Sequence, residues 1–162
     1  MARGIELLLL VAMLCTWQAA GARDSGSEAP NFALKALDGR NYRLSEMRGS
    51  VVLLSFGASW CGPCRSQLST LQEFHERYHG AGLAVLGVNL DEHDREAADL
   101  SRGLGFPVLR DSRHDVSELY RLGRMPLIVL IDRDGIVRQV YEGRETPGAD
   151  VVLAELRELL RE

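Results

Sequence analysis

Two cysteines stand two residues apart in Trp60-Cys61-Gly62-Pro63-Cys64, where one hydrophobic period gives way to another. Before them, Val51-Val52-Leu53-Leu54-Ser55-Phe56 is a nearly unbroken apolar run, the pattern of a strand covered on both faces. After them, Leu68, Leu71, Phe74 and Tyr78 recur at three- and four-residue steps, the pattern of an amphipathic helix. A CxxC at a strand-to-helix junction is the signature of a dithiol that closes and reopens as a disulfide. One half of a zinc site is the competing assignment, and an inert structural disulfide is another. Tetrahedral zinc needs a second ligand pair. The third cysteine is Cys15, and the histidines (His75, His79, His93, His114) are read as supplying no such pair, so the redox dithiol is the leading expectation.

Residues 1–22 read as a signal peptide. Arg3 is a short basic start, Leu7 to Trp17 an apolar core of about eleven residues, and Ala20-Gly21-Ala22 a small-residue cleavage site. That core is shorter than the roughly twenty residues a membrane-spanning helix needs. Cleavage would remove Cys15 and leave a chain of about 140 residues, enough for one domain with its own core. The expectation is an exported protein working where disulfides persist, such as the bacterial periplasm. The rival assignment makes Cys15 the acylated residue of a membrane-anchored lipoprotein, although Leu14 stands where that processing favours a small residue. A net charge of −4 argues against nucleic acid or an anionic membrane surface as partner.

Residues 23–30 have the small, polar composition of a flexible leader, and 31–162 read as one domain. Asn31 to Leu37 and Asn41 to Leu44 flank Asp38-Gly39, a strong hairpin signal. Leu83 to Leu90 and Leu127 to Ile131 are further buried strands, and Asp132-Arg133-Asp134-Gly135 turns the second of these into Ile136 to Tyr141. Short helices are expected around Ala97, Leu100 and Leu104 and around Val116 to Leu122, with an amphipathic helix over Val151 to Leu160. Strands alternating with helices, closed by an antiparallel hairpin, predict an α/β fold with a central mixed sheet flanked by helices. Ligands of such sheets gather at the carboxyl ends of strands, where the cysteines lie.

The chemistry asks one thiol to attack and its neighbour to resolve the product. Cys61 falls at the expected helix start, where unpaired N–H groups and the helix dipole stabilise an anion and raise the thiolate fraction. Cys64 is one turn inside, within reach of Cys61 and expected to be shielded from solvent. Attack by Cys61, a mixed disulfide and displacement by Cys64 form the predicted order. Pro63 suits the first helical turn, and Gly62 leaves room beside the attacking sulfur. Trp60 either covers the site or packs against a strand end. Pro126 is either the first residue of a strand or part of a cis Met125–Pro126 peptide that offers the Met125 backbone to an extended substrate. Arg65 and His114 read as surface residues, and Asp91-Glu92-His93-Asp94 as a helix-start charge cluster rather than a metal site.

Four elements carry a resemblance to a known family: Ala29-Pro30-Asn31-Phe32 with its hairpin, Phe56 through Cys64, Val85 to Asn89, and Met125-Pro126 ahead of Ile131 to Gly135. Together they resemble the thioredoxin superfamily, specifically the TlpA/ResA-like exported thiol–disulfide oxidoreductases, which overlap the AhpC/TSA redoxins. The resemblance implies a thioredoxin fold, a nucleophilic Cys61, a resolving Cys64 and a cis-proline at Pro126. It further implies protein thiols and disulfides as substrates, a membrane-embedded dithiol as electron donor, and no cofactor beyond the Cys61–Cys64 disulfide. Cytochrome c maturation is a common setting in that family, and the Gly62-Pro63 pair resembles that of reducing thioredoxins. Two positions depart from the family. Ser55 stands where thioredoxins carry a buried aspartate, and Gln67 where ResA-like members carry a glutamate, so both acids that would assist proton transfer at Cys64 are missing. The alternative functions are a redoxin-type thiol peroxidase and a Cu(I)-binding chaperone using the two thiolates.

Overall fold

The computed structural model describes residues 24–143 and 147–162. The expected signal peptide and Cys15 lie outside the described residues. A five-stranded sheet forms the centre, in the order β5-β4-β3-β6-β7. Its strands are β3 (Val51–Gly57), β4 (Leu83–Asn89), β5 (Val108–Arg110), β6 (Leu127–Ile131) and β7 (Val137–Glu142). A two-stranded hairpin precedes it, with β1 (Ala33–Lys35) antiparallel to β2 (Asn41–Arg43). β3, β4 and β5 run parallel, while β6 and β7 pair antiparallel to their neighbours, so the sheet is mixed as the pattern predicts.

Burial explains the apolar runs. Every residue of β6 is buried, as are the first six of β3, because helices cover both faces of the sheet. On one face, Val51, Leu53, Val85, Ile128 and Leu130 pack against Leu71 and Phe74 of α1 (Gly62–Tyr78) and Val152, Leu156 and Leu159 of α4 (Ala149–Arg161). On the other, Val52, Leu54, Phe56, Leu86, Val88 and Val129 pack against Val116 of α3 (Asp115–Leu119), Tyr120 and the hairpin side. A short α2 (Asp94–Ser101) follows β4. Among the described residues, no helix is long and apolar enough to cross a membrane.

Turn chemistry follows the sequence closely. Gly39 and Gly135 both take positive φ, the conformation glycine adopts without a Cβ penalty, at the tips of the two turns read as hairpins. The Asp132 carboxylate accepts the Asp134 and Ile136 backbone N–H groups and so fixes the second turn. The stretch Asp24 to Ala29 differs from its reading as a flexible leader. Gly26 N–H donates to the Val137 carbonyl, Val137 N–H to Ser27 and Ala29 N–H to Gly135, which lays the segment along the start of β7. Small polar residues are compatible with that pairing because backbone groups alone make it. Ala29 and Phe32 then enter the core.

Candidate functional site

The fold brings the cysteine motif to the carboxyl end of β3, beside the carboxyl end of β4 and the amino end of β6. Gly57 ends the strand, Ala58, Ser59 and Trp60 make the turn, and Cys61 caps α1. Its sulfur accepts the Cys64 backbone N–H at 3.2 Å, which places it on one of the orphan donors at the helix start. Cys61 and Cys64 are joined in a disulfide, so neither sulfur titrates in this state. Pro63 lies in the first turn of the helix, where its missing N–H costs no hydrogen bond.

Cys64 is shielded from solvent, as expected, at 4% exposed, and Cys61 is nearly as buried at 6%. Gly62 and Pro63, between them in sequence, are exposed. Trp60 neither covers the site nor packs against a strand end. It is 70% exposed and stands out from the surface next to Cys61.

The peptide Met125–Pro126 is cis. Pro126 and Pro63 line one cleft of about 310 Å³, with Gln67, Thr70 and Phe74 of α1 along its wall. Pro63 of the cysteine motif and the cis-proline therefore line one surface. Met125 itself is partly buried against the core, and the preceding loop is clamped by Glu142, whose Oε1 accepts the Gly123 and Arg124 N–H groups at 2.8 and 2.7 Å. The Gln67 Oε1 atom is buried without a hydrogen-bond partner.

Sequence reasoning missed Asp91, which was read as part of a helix-start cluster. Its carboxylate is 7% exposed and accepts three donors: the Ser59 N–H, the Ser59 hydroxyl and the Asn89 side-chain amide. Those bonds fasten the loop that carries Trp60 and Cys61 to the end of β4. The signal lay in topology, since parallel pairing of β3 with β4 is what sets Asp91 next to Ser59. Helix α2 begins only at Asp94. His75 and His79 also differ from their reading, for His75 lies in the last turn of α1, His79 is its C-cap residue, and their rings stack at 5.1 Å. No group of three metal-ligating side chains forms among the described residues.

Comparison with known proteins gives a consistent set of relatives. The AhpC/TSA family model matches residues 25–140. The thiol–disulfide oxidoreductase ResA of Geobacillus thermodenitrificans is 35% identical over 123 residues, covering 75% of this chain and 71% of that protein. ResA of Oceanobacillus iheyensis is 30% identical over 156 residues, covering 89% and 81%. Among solved structures, a Chlorobium tepidum protein assigned as thiol:disulfide interchange protein DsbE superposes with a TM-score of 0.78 at 35% identity, covering 85% of this chain and 98% of that one. The exposed lipoprotein thioredoxin Etrx1 of Streptococcus pneumoniae does so at 0.69 and 30% identity, covering 80% and 100%.

Proposed function

The chain belongs to the AhpC/TSA family and, within it, to the ResA-like thiol–disulfide oxidoreductases, and from that premise we propose that Cys61 is the attacking thiol, Cys64 the resolving one, and reduction of protein disulfides the working direction. One observation carries the reading: the Cys61 sulfur sits at the N-cap of α1, on the Cys64 N–H. A thiolate formed there gains a hydrogen bond and the positive end of the helix dipole. It attacks one sulfur of the substrate disulfide, a mixed disulfide forms, and the other substrate sulfur leaves as a thiolate. Cys64 then gives up its proton and attacks Cys61, releasing the second substrate thiol and restoring the Cys61–Cys64 disulfide. Two electrons have passed to the substrate, and a donor dithiol must return them.

Pro63 and Pro126 line the cleft beside the reacting sulfurs, and the Met125 backbone at its edge is proposed to pair with an extended substrate. Exposed Trp60 supplies an apolar contact on the other side. With Ser55 and Gln67 in place of acids, the Cys64 proton leaves through water or a backbone group, which makes resolution the slow step. Export to the periplasm, a membrane-embedded dithiol donor and an oxidised CxxC of an apocytochrome as substrate complete the reading, on the strength of the family alone.

Insulin reduction with Cys61→Ser and Cys64→Ser controls tests the assignment. Activity that survives Cys61→Ser would refute it. The equilibrium potential against glutathione gives the direction, a value near about −270 mV indicating a reductant and one near about −120 mV an oxidant. Rapid peroxide consumption through a Cys61 sulfenate, without insulin reduction, would reassign the protein as a peroxidase.

A further inference from the structure

The α1-facing side of the sheet changes character along its length. Far from the cysteines it carries Val51 and Leu53 on β3 and Leu83 and Val85 on β4, all buried against α1 and α4. Residues two apart share a face, so the same rows continue as Ser55 and Gly57, in register with Gly87 and Asn89. Three of these four side chains are small or absent. The space they leave is a cavity of about 30 Å³, walled on its other sides by Cys64 and Leu68 of α1 and by Leu100, Ser101 and Leu104. It has room for a group the size of a water molecule. A Cβ built on Gly57 would lie 3.1 Å from the Cys64 Cβ and 3.4 Å from its sulfur, so position 57 is the wall directly behind the resolving cysteine.

Reduction requires that space. Bonded sulfurs sit about 2 Å apart, while non-bonded heavy atoms need about 3.5–4 Å. Cys64 is buried on a hydrogen-bonded helix, and its sulfur has no water to retreat into. We propose that the cavity behind Cys64, held open by Gly57 and Gly87, receives the Cys64 sulfur when the disulfide is reduced and thereby sets how readily the dithiol forms. The proposal rests on the thiol–disulfide reading above. It makes Gly57 and Gly87 positioning residues, because they act through Cys64. With glutathione as reductant the S–S bond breaks, two glutathione thiols supply two electrons and two protons, and glutathione disulfide leaves. Filling the cavity removes room that the dithiol needs and the disulfide does not. The filled variants should therefore favour the disulfide and be stronger reductants.

Wild type, Gly87→Ala and Gly57→Ala are equilibrated in glutathione buffers, and the reduced fraction is read by thiol labelling. Gly87→Ala is the cleaner variant, since its Cβ meets the Phe106 ring at 3.4 Å, Val108 at 3.5 Å and the Pro107 carbonyl oxygen at 3.8 Å, all ordinary contacts, and does not touch Cys64. We expect its equilibrium constant to move about threefold toward the disulfide, and that of Gly57→Ala about tenfold, the latter equal to about 30 mV. An unchanged or less negative potential in Gly87→Ala overturns the proposal, including when Gly57→Ala fails to fold. A shift confined to Gly57→Ala also overturns it, because direct contact with Cys64 would then suffice. Insulin reduction by wild type is measured alongside. A wild type that equilibrates with glutathione but leaves insulin intact sinks the functional reading, while the difference between variants still decides the role of the cavity.

Discussion

The two ends of one sheet face use the same strands for opposite purposes. At the far end, Val51, Leu53 and Val85 are buried in one apolar cluster with Leu71 and Phe74. At the cysteine end, Ser55, Gly57 and Gly87 give up side-chain contact and leave a void beside Cys64. Close packing stabilises a fold because each buried methylene adds transfer energy and dispersion contacts. A site that must exist as both disulfide and dithiol needs two arrangements of its sulfurs, and tight packing would favour only one. Stability is thus concentrated away from the place where covalent structure changes.

That contrast makes predictions that differ in kind as well as in size. The largest effect belongs to the cysteine end: Cys61→Ser should abolish insulin reduction while the circular dichroism spectrum is retained. Cys64→Ser should leave the first half-reaction and accumulate a mixed disulfide, visible as an adduct by mass spectrometry. Next in size, Leu53→Ala at the packed end should cost about 2–5 kcal/mol in denaturant unfolding, the range for buried leucines. Its potential against glutathione should match wild type, and a shifted potential would break the division between the two ends. Asp91→Ala removes the acceptor from the buried Ser59 and Asn89 donors, so unfolding should be easier by about 1–3 kcal/mol. Unlike Leu53→Ala, it should also slow insulin reduction, because the loop before Cys61 loses its anchor. The smallest change is expected for Gln67→Glu, which restores a carboxyl group to the cleft and should shorten the mixed-disulfide lifetime several-fold near neutral pH, as read by stopped-flow mixing. An unchanged lifetime would mean that proton removal from Cys64 does not pass through position 67.

Much of this could be read from residue order, since the relevant forces are local. The apolar run into Cys61, the spacing of Leu68, Leu71 and Phe74, and the Asp-Gly turns each report a structure formed within a few residues. The position of Cys61 at a helix start followed directly from them. Features made by pairing distant segments were not legible. Asp91 reaches Ser59 only because β3 and β4 are parallel neighbours, and nothing in Asp91-Glu92-His93-Asp94 distinguishes a buried anchor from a solvated charge. The exposure of Trp60 and the burial of Cys61 likewise depend on how a loop leaves the sheet. Gly57 carries no separate signal in the residue order. Its consequence appears only when the face it shares with Gly87 is assembled.

The pairing of Asp24 to Ala29 along the start of β7 also fixes an orientation. Val137 follows the turn after Ile131, and Ile131 pairs with Val52 at the beginning of β3, whereas Cys61 follows the end of that strand. The first described residues therefore lie toward the pole opposite the sulfurs. Near that pole, too, Arg138 reaches Glu162 and Arg133 the Leu160 carbonyl. A partner that reaches the sulfurs thus meets the molecule at the tip farthest from where its described chain begins.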